Sequence, residues 1–99
     1  MVIIVFRSRL RTEYLDEFRP LAQRMLEIAE ALPGFISSRD YRDASSESCS
    51  VIEFDSLENL ETWRKHPEHL EAQRLGRDRF YSEYTLQITQ SVRESRFER

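Results

Sequence analysis

The sequence is poor in the residues that several common functional sites require. It holds two glycines, Gly34 and Gly76, too few for a phosphate-binding loop or for the glycine-rich turn of a dinucleotide site. Its single cysteine, Cys49, has no partner for an internal disulfide and cannot by itself form a zinc site built from thiolates. The lack of a disulfide framework favours a reducing, cytoplasmic location.

Long apolar runs and an excess of positive charge are also missing. The longest apolar run, residues 2–6, has five residues, whereas a membrane-spanning helix needs ~20. Lysine and arginine number fifteen against eighteen aspartate and glutamate residues, and the net charge is −3. This balance disfavours binding to the phosphate backbone of nucleic acids. We therefore expect neither a membrane nor a nucleic acid among the partners.

What is present is a regular succession of strand and helix patterns. Residues 2–6 are β-branched and aromatic, as in strands, and the apolar residues that follow recur at spacings of three and four, as in an amphipathic helix. We expect Thr12 to cap this helix, Pro20 to kink it and the Pro33-Gly34 pair to stop it. The other predicted elements are strands at residues 35–41, 49–54 and 81–92, a helix at residues 57–63 capped by Ser56, and a helix at residues 68–75 with Pro67 in its first turn and Gly76 as its terminator.

The two short helices form one helical region, and the order is then strand, helix, strand, strand, helix, strand. This order is that of the ferredoxin-like α+β domains, which contain a four-stranded antiparallel sheet. A chain of 99 residues suffices for one such domain with one core. We expect the domain to occupy residues 1–92, followed by a charged tail over residues 93–99.

The apolar pattern also predicts self-association. Two helical regions cover only one face of a four-stranded sheet, yet the first strand is apolar on both of its faces. We expect the helix-free face to be buried against the same face of a second copy, which gives a two-fold homodimer. We assign to this face the apolar row of the last strand, which consists of Tyr84, Leu86, Ile88 and Val92.

Side chains that carry chemistry are concentrated between Trp63 and Arg77, because the only tryptophan and both histidines fall within seven residues of this segment. His66 and His69 flank Pro67 and point to one side only if the turn between them is helical. Two histidines without a third ligand at a fixed spacing do not make a metal site, so we expect no bound metal. Each histidine is either a general base or a residue that caps a helix or lies on the surface.

Other side chains also have two interpretations. Trp63 either packs in the core or forms the aromatic wall of a pocket. Gln73, Arg74 and Arg77 either hold an anionic or quinone-like oxygen or lie in solvent among acidic neighbours. Cys49 falls in a strand pattern and is expected to be an inert, half-buried thiol rather than a nucleophile.

Five segments of the sequence together form a recognisable pattern: VIIVFRS at residues 2–8, LPGF at 32–35, EFDSLENL at 53–60 shortly before Trp63, HPEH at 66–69 and QRLGR at 73–77. In these segments the chain resembles the antibiotic biosynthesis monooxygenase-like family of the dimeric α/β-barrel superfamily, over nearly its whole length. The resemblance implies a ferredoxin-like protomer and a homodimer packed sheet to sheet. In enzymatic members of the family it implies oxidation of aromatic or quinol-type substrates by dioxygen without metal or flavin.

A related branch resembles the haem-degrading monooxygenases. That branch implies an asparagine near the end of the first strand, a tryptophan in the second helix and, ten residues beyond it, a histidine that binds the iron. Trp63 matches the tryptophan, but Gln73 stands in place of the histidine and residues 7–9 contain no asparagine. We therefore expect no cofactor, with haem as an alternative that would need His66 or His69 as a different ligand.

The cofactor-free branch implies a pocket lined by asparagine, tryptophan, tyrosine and arginine, a set that Asn59, Trp63, Tyr81 and Arg77 resemble. We therefore expect a monooxygenase that oxidises a small aromatic, quinol-type compound with dioxygen in a pocket between the sheet and the helices. The alternatives are a domain that binds haem or a small aromatic ligand without turnover, and a member of the family without catalytic function.

Oxidation without a cofactor requires that the protein bind the substrate and favour its anion, which then reduces dioxygen. We expect His66 or His69 to act as the base, and Asn59 with Arg77 to stabilise the anion. The complete candidate set is Asn59, Trp63, His66 and His69 as catalytic residues and Gln73, Arg77 and Tyr81 as substrate-binding residues.

Overall fold

A four-stranded antiparallel sheet with helices packed on one face forms the protein, as described by a computed structural model of residues 1–99. Its elements are β1 (Val2–Leu10), α1 (Leu15–Ala31), β2 (Phe35–Arg42), β3 (Ser48–Phe54), α2 (Leu57–Arg64), α3 (Pro67–Leu75) and β4 (Tyr81–Gln90). The strand order across the sheet is β2-β3-β1-β4, which confirms the ferredoxin-like prediction. None of the helices combines the length and the apolar character that crossing a bilayer requires.

The long helix α1 is confirmed, but its beginning differs from the prediction. A 3₁₀ turn at Thr12–Tyr14 precedes α1, and no side chain caps either element, so the prediction of Thr12 as the cap is wrong. Thr12 is instead the first residue of the 3₁₀ turn, so the N-cap position of α1 falls on Tyr14. The backbone N–H of Arg11, just before this turn, donates to the carbonyl of Phe80 at 2.7 Å. Pro20 lies inside α1, which continues through it as one element.

The two short helices begin as predicted. Ser56 caps α2, because its hydroxyl accepts a hydrogen bond from the backbone N–H of Asn59 at 3.2 Å. Pro67 is the first residue of α3. α3 ends at Leu75 with Gly76 at its C-cap, as predicted, but the backbone of Gly76 is right-handed helical, and the chain continues through a π-helical turn at Gly76–Phe80 before β4.

The core lies between the sheet and the helices. Alternate residues of β1 point toward the helices, and Val2 and Ile4 are 5% and 4% exposed. The fully buried anchors from the other elements are Phe54 of β3 and Leu60 of α2, each 0% exposed. The buried cluster consists of Val2, Ile4, Met25, Ile28, Ala29, Phe54, Leu60 and Trp63.

The apolar row of β4 faces the helices, not the opposite side of the sheet. Leu86 pairs with Phe6 and Ile88 pairs with Ile4, so these residues share the face that carries the core, and their assignment to the helix-free face is wrong. An alternation of apolar and polar residues along a strand shows which side chains share a face. It does not show whether that face is the one covered by the helices. The row is about 40% exposed because β4 is an edge strand beyond the reach of the helices, and Val92 lies past its end.

The helix-free face is therefore more polar than expected. Its apolar side chains are Ile3 and Val5 of β1 and Val51 of β3, and all three are partly exposed at the centre of the sheet. Polar residues and one exposed tyrosine surround them, and the register places on the same face Arg7, Arg9, Ser37, Arg39, Tyr41, Cys49, Glu53, Glu83, Thr85, Gln87 and Thr89.

Gly34 is required where α1 turns into β2. Its φ is +86°, and a Cβ at this position would lie 2.8 Å from the Cβ of Asn59. We predict that Gly34→Ala lowers the free energy of unfolding by about 2–4 kcal/mol, through backbone strain and overpacking together. Urea unfolding measures this loss. Ser46 has φ 69° in an exposed loop, so Ser46→Gly is the matched control and should leave stability unchanged or slightly higher. A loss at Gly34→Ala no larger than that of the control would contradict the prediction.

Candidate functional site

A cavity of about 780 Å³ lies between the inner face of the sheet and helices α1 and α3. This volume is in the range of small-molecule binding sites. Most of the side chains that line the cavity are apolar. Of the seven candidate residues, the structure brings five to the wall and leaves Asn59 and His66 outside it. The five lining residues are Trp63, His69, Gln73, Arg77 and Tyr81.

The floor of the cavity is apolar on one side and polar on the other. Register rows run across the sheet, so each row contributes one residue from each strand. Strands β1 and β4 contribute chiefly apolar and aromatic side chains, whereas β2 and β3 contribute chiefly polar ones. The apolar side contains Ile4, Phe6, Tyr84 and Leu86, and the polar side contains Ser38, Asp40, Arg42, Ser48 and Ser50.

Trp63 belongs to the core and to the cavity wall at once. It is 6% exposed, and its indole N–H donates to the backbone carbonyl of Met25 at 3.2 Å. The indole stacks on Phe54 with ring centroids 5.9 Å apart. Its contact with the ring of His69, at 4.3 Å, leads from the core into the cavity. The two interpretations of Trp63 are therefore compatible.

His69 is held between Trp63 and Gln73. The Nδ1 atom of its ring lies 3.0 Å from the amide nitrogen of Gln73. Burial lowers the pKa of His69 to about 4, although a hydrogen bond with the backbone of Arg64 opposes this effect, and the charges of Arg64 and His66 lower the pKa further. At neutral pH the imidazole is thus uncharged, and Nδ1 accepts a hydrogen bond from the Gln73 amide. A group with this pKa is a weak base for a phenol, and its Nδ1 atom is already bonded to the Gln73 amide. Both observations favour a role for His69 in positioning its neighbours rather than in accepting a proton.

His66 and Asn59 have structural roles at helix ends. The Nδ1 atom of His66 accepts a hydrogen bond from the backbone N–H of Glu68 at 3.1 Å and so caps α3. The side-chain amide of Asn59 donates to Asp55 at 2.8 Å, next to the cap of α2. Both roles have a signal in the sequence, because His66 directly precedes a proline at the first helical position and Asn59 occupies the third position of α2.

Tyr81 closes the cavity at the start of β4. Its ring contacts Phe6, Phe18 and Tyr84 at centroid distances between 5.3 and 5.9 Å. Burial raises the pKa of Tyr81 to about 12, and Tyr84 adds to the shift, so its hydroxyl stays protonated and can donate to a ligand. Gly76 makes room for this ring, because a Cβ there would lie 2.8 Å from the ring of Tyr81.

Several polar lining residues were not among the candidates. Ser8 is the most deeply buried of them, at 5% exposed. For the residues on strands a signal exists in the sequence, because serine or a charged residue occurs at positions that alternate with the outward face, where a closed core would place apolar side chains. Arg19, Gln23 and Arg64 lie on helices and have no such signal. The complete set of these polar lining residues is Ser8, Arg19, Gln23, Ser38, Asp40, Arg42, Ser48, Ser50 and Arg64. Cys49 is half-buried and lies on the opposite face of the sheet.

The residues near the cavity do not fit an iron-bound haem. No group of three or more histidine, cysteine, aspartate and glutamate side chains is arranged to hold a free metal ion, whereas the iron of a haem would need one histidine as an axial ligand. His69 is the only histidine in the wall, and its ring is engaged by the Gln73 amide and by the backbone of Arg64. His66 lies outside the wall, so neither histidine offers a free ring nitrogen to an iron inside the cavity.

Comparison with known proteins identifies one family. The family model described as antibiotic biosynthesis monooxygenase matches residues 1–75. The uncharacterised protein YqjZ of Bacillus subtilis (strain 168) is 29% identical over 94 residues, which cover 95% of this chain and 82% of YqjZ.

Solved structures show the same fold at low sequence identity. Rv0793 from Mycobacterium tuberculosis has a TM-score of 0.81 and 19% identity, covering 96% of this chain and 98% of that one. The cofactor-independent oxygenase SnoaB from Streptomyces nogalater, solved as a mutant, has a TM-score of 0.77 and 14% identity, covering 94% of each chain.

The depressed pKa of His69 makes stability depend on pH. Because the folded protein binds this proton less tightly than the unfolded chain, stability is complete above pH 6.5 and falls as the pH is lowered from 6.5 toward 4. We predict a loss of about 2 kcal/mol between pH 7 and pH 5, measured by urea unfolding. His69→Gln should remove most of this dependence, whereas His66→Gln should retain it. An NMR titration of His69 with an ordinary midpoint near 6.5 would contradict the prediction.

Proposed function

Because the chain belongs to the antibiotic biosynthesis monooxygenase family, we propose that it oxidises a small aromatic, quinol-type compound with dioxygen inside the cavity. The observation that supports this most is the cavity itself, of about 780 Å³, which is mostly apolar and has an aromatic wall. Such a site removes the rings of a phenolic substrate from water while leaving its oxygen atoms beside a few polar groups.

The proposed reaction needs no external reductant. The substrate supplies all four electrons that dioxygen accepts, and it loses two hydrogens. In an anthrone both hydrogens come from the reacting carbon. In a phenol one comes from the reacting carbon and one from the hydroxyl group. One atom of dioxygen becomes a new carbonyl oxygen of the quinone product, and the other leaves as water with the two hydrogens. The protein has to bind the substrate, favour its electron-rich anion and admit dioxygen, and it needs neither a metal nor a flavin for this balance.

In this proposal a positively charged side chain, rather than a proton-accepting one, favours formation of the substrate anion. His69 is neutral and its Nδ1 atom is engaged by Gln73, so proton transfer to His69 would break that hydrogen bond. We propose that the proton leaves to water at the open side of the cavity and that Arg77 stabilises the anion. In this proposal Trp63 is the wall against which the rings stack, and Tyr81 donates to a substrate oxygen.

Binding without turnover is the alternative, and the same cavity would serve it. The two functions differ in oxygen consumption, because a binding domain changes its Trp63 emission with ligand and consumes no oxygen. Both functions require that the cavity is not filled by a protein side chain.

A cavity-filling variant tests the function without removing a core residue. We predict that Ser48→Phe, which places a ring on the polar side of the floor, abolishes oxygen uptake with a panel of anthrones and naphthols, measured above the uncatalysed rate. The matched control is Thr62→Phe, on an exposed position of α2, which should retain uptake. Uptake by Ser48→Phe at the rate of the control, with both variants folded by circular dichroism, would contradict the proposal.

We also propose that the active form is a homodimer joined through the helix-free face. This face leaves Ile3, Val5 and Val51 partly exposed in the middle of the sheet, and the family resemblance implies sheet-to-sheet packing. An interface of roughly 1,600 Å² or more in total is expected if the whole face is buried.

Sedimentation velocity tests this assembly. We predict a dimer at micromolar concentration and a shift to monomer in Val5→Lys, because the interface would bury an unpaired charge. Val92→Lys, at a position that is 99% exposed, is the control and should remain dimeric. A wild-type chain that sediments as a folded monomer would refute the assembly.

A further inference from the structure

We propose that the preferred ligands of the cavity are aromatic molecules that carry a carboxylate, and that the carboxylate binds to Arg42 on the polar side of the floor. This inference rests on the proposed function, because it names the substrate class of the same cavity. It also makes a separate claim, since the proposed oxidation by itself needs no charge on the substrate.

The wall of the cavity is positively charged within an acidic protein. Four arginines and one aspartate line it, whereas the whole chain has a net charge of −3. An anion is therefore attracted to the cavity and repelled by most of the remaining surface. The charged lining residues are Arg19, Arg42, Arg64, Arg77 and Asp40.

Three of these arginines have no partner in the protein. Arg64 is bonded to Glu61 at 3.1 Å, but Arg19, Arg42 and Arg77 take part in none of the ion pairs of the chain. By contrast, Arg74, one turn from Arg77, is ion-paired at 2.6 Å. The cavity thus holds guanidinium groups with free donors, as do surface positions such as Arg7, Arg39 and Arg93, and guanidinium donors match the two oxygens of a carboxylate.

Asp40 is the one acidic group in the wall, and it has a local partner. It accepts a hydrogen bond from the hydroxyl of Ser50 at 2.6 Å on the neighbouring strand. Arg42 lies two residues further along β2 and hence on the same face of the sheet. Asp40 lowers the positive charge on this side without cancelling it, because the arginines of the wall outnumber it.

Ser8 places a hydroxyl on the floor of the cavity. The residue is only 5% exposed, its hydroxyl forms no hydrogen bond within the protein, and the hydroxyl is open to the cavity rather than sealed in the core. Its partner is therefore supplied from the cavity, by water or by a ligand. The register places Ser8 between Ser48 and Tyr84 on the floor, where the polar and apolar sides meet.

These features assign an orientation. The rings of the ligand lie on the apolar side, against Phe6 and Leu86 and beside the Trp63 wall. A ring hydroxyl reaches Ser8 at the boundary, and the carboxylate reaches Arg42 on the polar side. An aromatic molecule without an anionic group would leave this polar side unused, so the acid should bind more tightly than its ester.

Calorimetric titration of the full chain with 1-hydroxy-2-naphthoate and with its methyl ester tests the proposal. We expect the acid to bind about tenfold more tightly than the ester at low ionic strength, and this difference to shrink in high salt. Arg42→Gln should weaken the acid by about two- to fivefold and leave the ester unchanged. Lys65→Gln, which removes an unpaired exposed cation outside the cavity, is the matched control and should leave both ligands unchanged.

Each other outcome overturns the inference. If the ester binds as tightly as the acid, or if Lys65→Gln weakens the acid as much as Arg42→Gln does, the wall does not select a carboxylate. If in addition neutral naphthols are still oxidised, the proposed function stands and only the substrate class is wrong. If neither ligand binds and no oxygen is consumed with any compound, both proposals fail.

Discussion

Trp63 connects elements that would otherwise share few contacts, and the site depends on this connection. Its indole N–H is bonded to the carbonyl of Met25 in α1, and its ring stacks on Phe54 of β3. The ring of His69 then joins α3 to the same side chain at 4.3 Å. Because a buried indole N–H needs an acceptor, this hydrogen bond helps to fix α1 over the sheet, together with the packing of Met25, Ile28 and Ala29 in the core. The cavity is the space that remains beyond this contact.

The division of the floor into an apolar and a polar side follows from the order of the strands. β1 and β4 are neighbours and bring mostly apolar residues to the inner face, whereas β2 and β3 bring serines and charged residues. A closed core would not tolerate this polar side, because buried polar groups without partners cost ~1–3 kcal/mol each. An open cavity tolerates it, since water or a ligand supplies the partners. The polar residues on the inner face of β2 and β3 are therefore stable only because a cavity lies above them.

The sequence predicts most of the fold because local patterns specify it. Residues 2–6, the Ser56 cap and the position of Pro67 each depend on neighbours within a few residues, and each is confirmed. The face of the sheet on which Leu86 and Ile88 lie depends instead on register with β1, which no local pattern contains. Gly76 shows a similar limit, because its role is set by the ring of Tyr81 after the π turn.

The candidate site could be predicted in its location and only partly in its residues. Trp63, His69 and Gln73 line the cavity because they lie four to six residues apart on α2 and α3 and turn toward the sheet together. Asn59 and His66 are close to these residues in sequence but lie at helix starts, where Asn59 is bonded to Asp55 and His66 caps α3. Ser8 and Arg42 lie far away in sequence and reach the cavity only through strand pairing. The most direct test of the account is a turnover in dioxygen labelled with oxygen-18, using protein free of metal and flavin. The account predicts one labelled oxygen atom in the quinone product and the other in water, whereas a product that takes its new oxygen from water, or none at all, would contradict it.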